Sequence, residues 1–149
     1  MIKLIDISNK DNAKDVLSIQ IPSYEVEAKI IDYYELPPLK DTIDKLQKCE
    51  EIFFGFYENT ELCGAISLKA DENVADIHRL IVHPNHFRKG IAQLLLNFVI
   101  SKFNVKKVKV ATGSKNTPAV NFYIKNGFNK IKGFKVNERL SLIFFEKEL

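Results

Sequence analysis

One stretch limits the folds open to this chain more than any other. Leu80 to Gln93 reads LIVHPNHFRKGIAQ: an apolar run, then His83-Pro84, a short polar loop, and the start of a long apolar helix. The pattern predicts a strand, a loop of exposed backbone amides and a helix N-terminus. The first amides of a helix lack an internal acceptor, and the helix dipole adds partial positive charge there. Gly90 and Ala92 carry little or no side chain, so a ligand can approach the main chain. Arg88 and Lys89 add full positive charge. The stretch therefore reads as an anion site, suited to phosphate or pyrophosphate. The plainer alternative is a βα connection with solvated cations.

The period of the apolar residues divides the chain around this stretch. Ile2, Leu4 and Ile7 suggest a first strand. Asp11-Asn12 caps a predicted helix with Ala13, Val16, Leu17 and Gln20, which Pro22 should end. Ser23 then caps a second helix with Val26, Ile30 and Tyr34 on one stripe, and Glu25 and Glu27 in its first turn suit the dipole. Leu36-Pro37-Pro38 breaks it, and Leu39, Ile43 and Leu46 make a short third helix. From Ile52 the period becomes two. Ile52–Tyr57, Leu62–Leu68 and Val74–His83 read as an antiparallel meander joined by polar turns. Gly90 to Phe103 is a helix with one wet stripe, Gln93, Asn97, Ser101 and Asn104. Val105–Thr112 is the next strand, and strand–helix–strand implies a right-handed parallel crossover. Asn116-Thr117-Pro118 starts a helix whose inner stripe is Ala119, Phe122 and Tyr123, and Gly127 stops it. Phe128–Phe134 and Arg139–Lys147 form a final strand pair.

With 149 residues and no linker or repeat, the expectation is a single domain over residues 1–149. No apolar run approaches the ~20 residues that span a bilayer, and the charged N-terminus lacks a signal-peptide core, so the expected location is cytoplasmic. Cys49 and Cys63 form no CxxC, and Cys63 fits a buried strand position. His78, His83 and His86 cluster, but no carboxylate or cysteine has ligand spacing to them, so no metal is expected.

The net charge of +3 hides a division. Residues 1–85 hold 9 Lys+Arg against 16 Asp+Glu, and residues 86–149 hold 13 against 3. Two partners of opposite sign would fit: a polyanion beside the C-terminal half and a cation beside the N-terminal half. A nucleic-acid binder would need a basic arm or a recognised motif, and the chain has neither.

Two motifs in order now carry a resemblance. Leu80-Ile81-Val82-His83-Pro84 followed by Phe87-Arg88-Lys89-Gly90-Ile91-Ala92 is similar to (Q/R)xxGx(G/A). Asn116-Thr117-Pro118-Ala119-Val120-Asn121-Phe122-Tyr123, closed by Asn126-Gly127-Phe128, is similar to NxxAxxFYxxxGF. Together they resemble the GNAT family of acetyl-CoA-dependent N-acetyltransferases, and the element order agrees along the whole chain, most weakly before Ile52.

The resemblance implies an α/β (α+β) fold: a mixed, mostly antiparallel sheet of about six to seven strands, splayed between the fourth and fifth and flanked by about four to five helices. It implies that acetyl-CoA is the co-substrate. Its pantetheine arm would pair with the backbone of Leu80, Ile81 and Val82, and its pyrophosphate with the amides of Arg88, Lys89, Gly90, Ile91, Ala92 and Gln93. Asn116 would contact the cofactor, and Tyr123 would be the general acid. Phe87 departs from the usual Gln or Arg, which implies weaker cofactor affinity. The glutamate that some members carry five residues before the motif asparagine is here Ala111. Alternation offers another base, because it places Asp76 and His78 on one face with Leu80 and Val82, where either could relay a proton through water. Glu35 is a weaker candidate.

The expected activity is acetyl transfer to a primary amine. Acidic residues dominate Pro22 to Glu51, eight Asp+Glu against four Lys, so a cationic acceptor is expected, with loops Tyr33–Leu39 and Gly133–Asn137 shaping its pocket. The alternative is a non-catalytic acyl-CoA-binding sensor, motivated by Phe87 and Ala111. The apolar last strand could serve a homodimer or the core.

Overall fold

A computed structural model describes residues 1–149. In chain order the elements are β1 (Ile2–Ile5), α1 (Lys10–Ile31), a 3-10 turn (Pro37–Lys40), α2 (Ile43–Gln47), β2 (Ile52–Glu58), β3 (Glu61–Ala70) and β4 (Val74–Val82). A second 3-10 turn (Pro84–His86) leads to α3 (Ile91–Lys102), β5 (Lys107–Gly113), α4 (Thr117–Lys125), β6 (Asn129–Lys135) and β7 (Ser141–Glu148). The strands form one seven-stranded sheet in the order β1-β2-β3-β4-β5-β7-β6. All neighbours are antiparallel except β4 and β5, which run parallel around the α3 crossover. This is the mixed α/β architecture expected from the motifs.

Both sheet faces are covered. On one, α3 and α4 bury Leu95, Leu96, Val99 and Tyr123 against Phe54, Ile66, Ile77, Val108 and Phe145. On the other, α1 and α2 bury Val16, Ile19 and Leu46 against Ile5, Phe53, Ala65 and Ile81. Gly64 lets α3 approach: a Cβ there would meet Ile91 Cγ2 at 2.8 Å and the Ile81 carbonyl oxygen at 3.1 Å.

Two expectations are corrected, and one left open for the last strand is resolved. Pro22 does not end a helix; α1 runs through it from an Asn9 cap, whose side chain accepts from the Asn12 amide at 3.0 Å. An interior proline costs about 3 kcal/mol. Residues on both sides of it, Ala13, Val16 and Ile19 before and Ala28 and Ile31 after, are buried, and each large aliphatic contributes ~1.5–3 kcal/mol. Burial outweighs propensity, and the helix ends only where Asp32 turns left-handed at φ 55°. Second, the wet stripe on α3 is partly dry, because Gln93 exchanges amide hydrogen bonds with Asn126 at 2.6 and 3.1 Å and ties α3 to α4. Of the two uses open to the last strand, the core is the one seen: β7 is an interior strand with Phe145 buried, and β1 and β6 are the sheet edges.

Candidate active site

The parallel ladder of β4 and β5 is short. It runs from Val74 opposite Lys107 to Ile77 opposite Val110, and no pairing follows. Beyond it the strands diverge, leaving His78 to Val82 without neighbours on the β5 side. This is the expected splay. At its root lies an irregularity that alternation could not foresee. Ser67 faces Arg79 but Leu68 faces Ile77, so His78 is an extra residue, a β-bulge. The bulge exchanges the faces of the strand. Ala75 and Ile77 before it, and Leu80 and Val82 after it, all lie toward α3 and α4. Asp76 therefore does not share a face with Leu80 and Val82. It lies on the opposite side of the sheet, and His78 sits on the bulge itself.

The same register sorts the amides of the split. The His83 amide donates to the Cys63 carbonyl at 2.9 Å, and antiparallel ladders alternate. Ile81 thus turns its N–H to β3, whereas Leu80 and Val82 turn theirs into the opening. Of the three residues named from the sequence, two present an amide there.

At the end of β4 the chain turns through Pro84–His86 into the anion loop. Arg88 and Gly90 take left-handed conformations, φ 64° and 77°. The amides of Arg88, Lys89, Gly90, Ile91, Ala92 and Gln93 have no acceptor within the protein. Six adjacent free donors ending on a 12-residue helix make a built anion cradle. A Cβ at Gly90 would meet nothing within 4 Å, so the glycine is required by its φ and not by crowding. Arg88 makes no ion pair. Lys89 reaches back to Glu58 at 3.5 Å and to His86 Nδ1 at 3.0 Å. Phe87 is 43% exposed at the lip.

Asn116 caps α4, accepting from the Ala119 amide at 3.3 Å, and is itself buried. One helical turn and more beyond it, Tyr123 packs edge-on against Phe122 and Phe128 and beside Phe145. Burial raises the Tyr123 pKa well above that of a free phenol, and the charge of Glu27 adds to this. Glu27 belongs to α1, on the other face of the sheet. Its carboxyl is raised by burial and partly eased by the Asn116 side chain. It lies against the end of β5, with Oε1 3.8 Å from where a Gly113 Cβ would be. Tyr24, one turn earlier on α1, is also raised by burial and by Glu27. Tyr24, Glu27, Asn116 and Tyr123 thus lie within electrostatic reach of one another, from α1, the cap of α4 and α4 itself. Glu27 and Tyr24 do not stand out in the sequence as site residues, because Pro22 reads as a break within α1 and Glu27 then suits the dipole of a second helix.

On the α1 side of the sheet a cavity of about 530 Å³ is lined by Asp76, His78, Lys109, Ala111, Lys132 and Glu146, among others. His78 lies between Asp76 (Nε2 to Oδ2, 3.7 Å) and Glu51 (Nδ1 to Oε2, 3.7 Å). Arg79 pairs with Glu51 and with Asp41 and draws β4 to the segment before β2. Glu35 is exposed and paired with Lys40, which lowers its carboxyl. The loops named as pocket walls do meet, through Asn137 Nδ2 donating to the Tyr33 hydroxyl at 3.1 Å.

The fold also joins Glu58, Cys63 and His86, whose ligand atoms lie within 4.8 Å of one another, a grouping that sequence spacing did not reveal. The Lys89 ammonium already occupies its polar side.

The family model described as acetyltransferase (GNAT) family matches residues 13–128. The UPF0157 protein YqkA of Bacillus subtilis is 37% identical over 146 residues; the match covers 97% of this chain, which spans only 43% of that protein's length. The spermidine N(1)-acetyltransferase of Thermoplasma acidophilum is 29% identical over 107 residues, covering 69% of this chain and 66% of the relative. Among solved structures, the PaiA N-acetyltransferase of Thermoplasma acidophilum in complex with coenzyme A superposes with a TM-score of 0.76 at 19% identity, over 100% of this chain and 99% of that one. At that identity the likeness concerns the fold.

Proposed function

The chain belongs to the acetyltransferase (GNAT) family, and from that premise we propose that it moves an acetyl group from acetyl-CoA directly to a primary amine. The single observation that carries this reading is the continuity of free donors. The outward amides of Leu80 and Val82 lead along the split to the six acceptor-free amides of Arg88 to Gln93. A thin amide-bearing arm ending in a pyrophosphate fits that line. The cradle is open at Gly90, and no side chain fills it.

In this reading the cradle fixes the pyrophosphate, with Arg88 as the added charge. The Leu80 and Val82 amides orient the arm, and one of them stabilises the oxygen that gains charge as the thioester carbonyl is attacked. Tyr123, kept protonated by burial, gives its proton to the departing sulfur. Asn116 supports the same end of the split. Asp76 and His78 carry the acceptor's proton away through water in the open cavity. The acceptor is a cationic amine, in keeping with the acidic residues between Pro22 and Glu51 and with the spermidine acetyltransferase among the relatives.

The test is acetyl-CoA-dependent thiol release across neutral, acidic and polycationic amines, beside direct binding of acetyl-CoA. Release confined to cationic amines is expected. Tight binding without release from any amine would favour the sensor alternative, and no binding would remove the premise about the cradle.

A further inference from the structure

The half-buried carboxylates of this molecule mostly have cations. Glu51 and Asp41 share Arg79, Glu146 takes Lys107, and Glu58 takes Lys89. Glu27 is different: it is shielded by α1 and the end of β5 and makes no ion pair. Its polar neighbours are Tyr24 on its own helix, the Asn116 side chain ahead of α4, and Tyr123 from α4. The nearest β5 position is Gly113, which has no side chain to cover it. Lys115 and Arg139, which line a small cavity with Ile31 and Gly113, form no ion pair with it. A half-buried carboxylate with no counter-ion, set against a glycine on β5 beyond the last rung that joins it to β4, attracts a cation strongly.

We infer that Glu27 is a catalytic residue: it touches the acceptor nitrogen, binds it as an ammonium and takes its first proton. This rests on the transferase reading above and goes beyond it, because it makes a carboxylate on α1 the direct contact and leaves Asp76 and His78 as the exit path to solvent. The proton balance is complete. An N–H bond of the ammonium breaks and its proton passes to Glu27. The freed lone pair forms the C–N bond to the acetyl carbon, the C–S bond breaks, and its electron pair leaves on sulfur. Tyr123 protonates the sulfur, and the second proton lost by the nitrogen restores Tyr123. Glu27 returns the first proton to water. The net change is ammonium plus thioester giving amide, thiol and one proton. Burial raises the Glu27 carboxyl, which makes it a better base than a solvated one. Its position opposite Tyr123 separates base from acid across the reacting atoms.

The experiment titrates CoA-loaded wild-type protein and the isosteric E27Q with 1,4-diaminobutane by calorimetry, and measures thiol release with the same amine from pH 6 to 9. E27Q should keep its affinity for acetyl-CoA. It should bind the diamine about tenfold or more weakly, as for loss of a charge-assisted hydrogen bond. Its kcat should fall by roughly 10²-fold or more, as for loss of a general base, and the acid limb of its pH–rate profile should disappear. E27D should recover part of both. Diamine binding and a pH profile equal to wild type would overturn the inference, as would an equal loss of acetyl-CoA affinity, which would mark a merely structural role. Glu27-dependent diamine binding with no thiol release from wild type would uphold the cation contact and refute the transferase reading instead.

Discussion

Ile77 and Val110 form the last rung between β4 and β5, and the very next residue of β4, His78, is the bulge. The two features act together. The end of the ladder frees one side of the strand, and the bulge fixes which amides turn to that side. Loss of a neighbour alone would leave a ragged edge; with the bulge, Leu80 and Val82 offer N–H groups to the split while Ile81 stays bound to β3.

This relationship predicts an alternating exchange pattern. In the free protein the amide of Ile81 should exchange with solvent deuterium about tenfold or more slowly than those of Leu80 and Val82, because only it is bonded within the sheet. Saturating acetyl-CoA should slow Leu80 and Val82 and leave Ile81 unchanged. Residue-resolved NMR exchange measures this directly. Uniform protection of all three, or protection of Ile81 alone on addition of acetyl-CoA, would contradict the ladder parity.

Removing the Tyr123 hydroxyl separates its two roles. The ring is part of the core, packed with Phe122, Phe128 and Phe145, so Tyr123→Phe keeps shape and should change stability by less than about 1 kcal/mol. The proton for the sulfur is lost, and kcat should fall by roughly 10²- to 10⁴-fold with acetyl-CoA affinity within about twofold. Burial holds the wild-type phenol protonated well into alkaline pH, so its acid function should show no decline below pH 9. Turnover of Tyr123→Phe equal to wild type would end the assignment.

How far these features could be read without coordinates depends on the range of the interactions. The meander, the crossover and the anion loop follow from period and from Gly90, Asn116 and Pro118, which act over one turn. The bulge at His78 was not legible, because an extra residue in a strand shows only in the register of its partner: Asp76 and His78 look like neighbours of Leu80 until Leu68 is seen to face Ile77. Glu27 was hidden for a similar reason. A carboxylate on α1 is an ordinary surface residue until Gly113 and Asn116, more than eighty residues away in the chain, close around it. Pro22 misled in the other direction, since a strong local rule gave way to burial on both sides of it.

That last conflict is itself testable. Pro22 lies inside α1, where it denies the Ser18 carbonyl its partner. Replacing it with alanine restores the bond and relieves the ring, so Pro22→Ala should stabilise the protein by about 1–3 kcal/mol, with part of that offset by a looser unfolded chain. Denaturant unfolding measures the change. A loss of stability would mean that the proline sets a bend on which the packing of Tyr24 and Glu27 depends.

Glu27 should leave a signature on folding as well as on turnover. Burial raises its carboxyl above the ordinary value of ~4.3 that it has in the unfolded chain. The folded protein therefore holds this proton to higher pH than the unfolded one. Its contribution to stability is fully present below the unfolded value, and it is lost as pH rises through the folded value. Glutamine cannot ionise, and every other group cancels in the comparison. The stability of E27Q relative to wild type should thus increase from pH 4 to pH 8 and level off above the folded pKa. Paired thermal melts across that range read the difference. A constant difference would mean that the carboxyl is as well solvated folded as unfolded, and a wild type that gains on E27Q as pH rises would require a cation beside Glu27 in the free protein. Either result would remove the electrostatic ground for placing the acceptor's ammonium there.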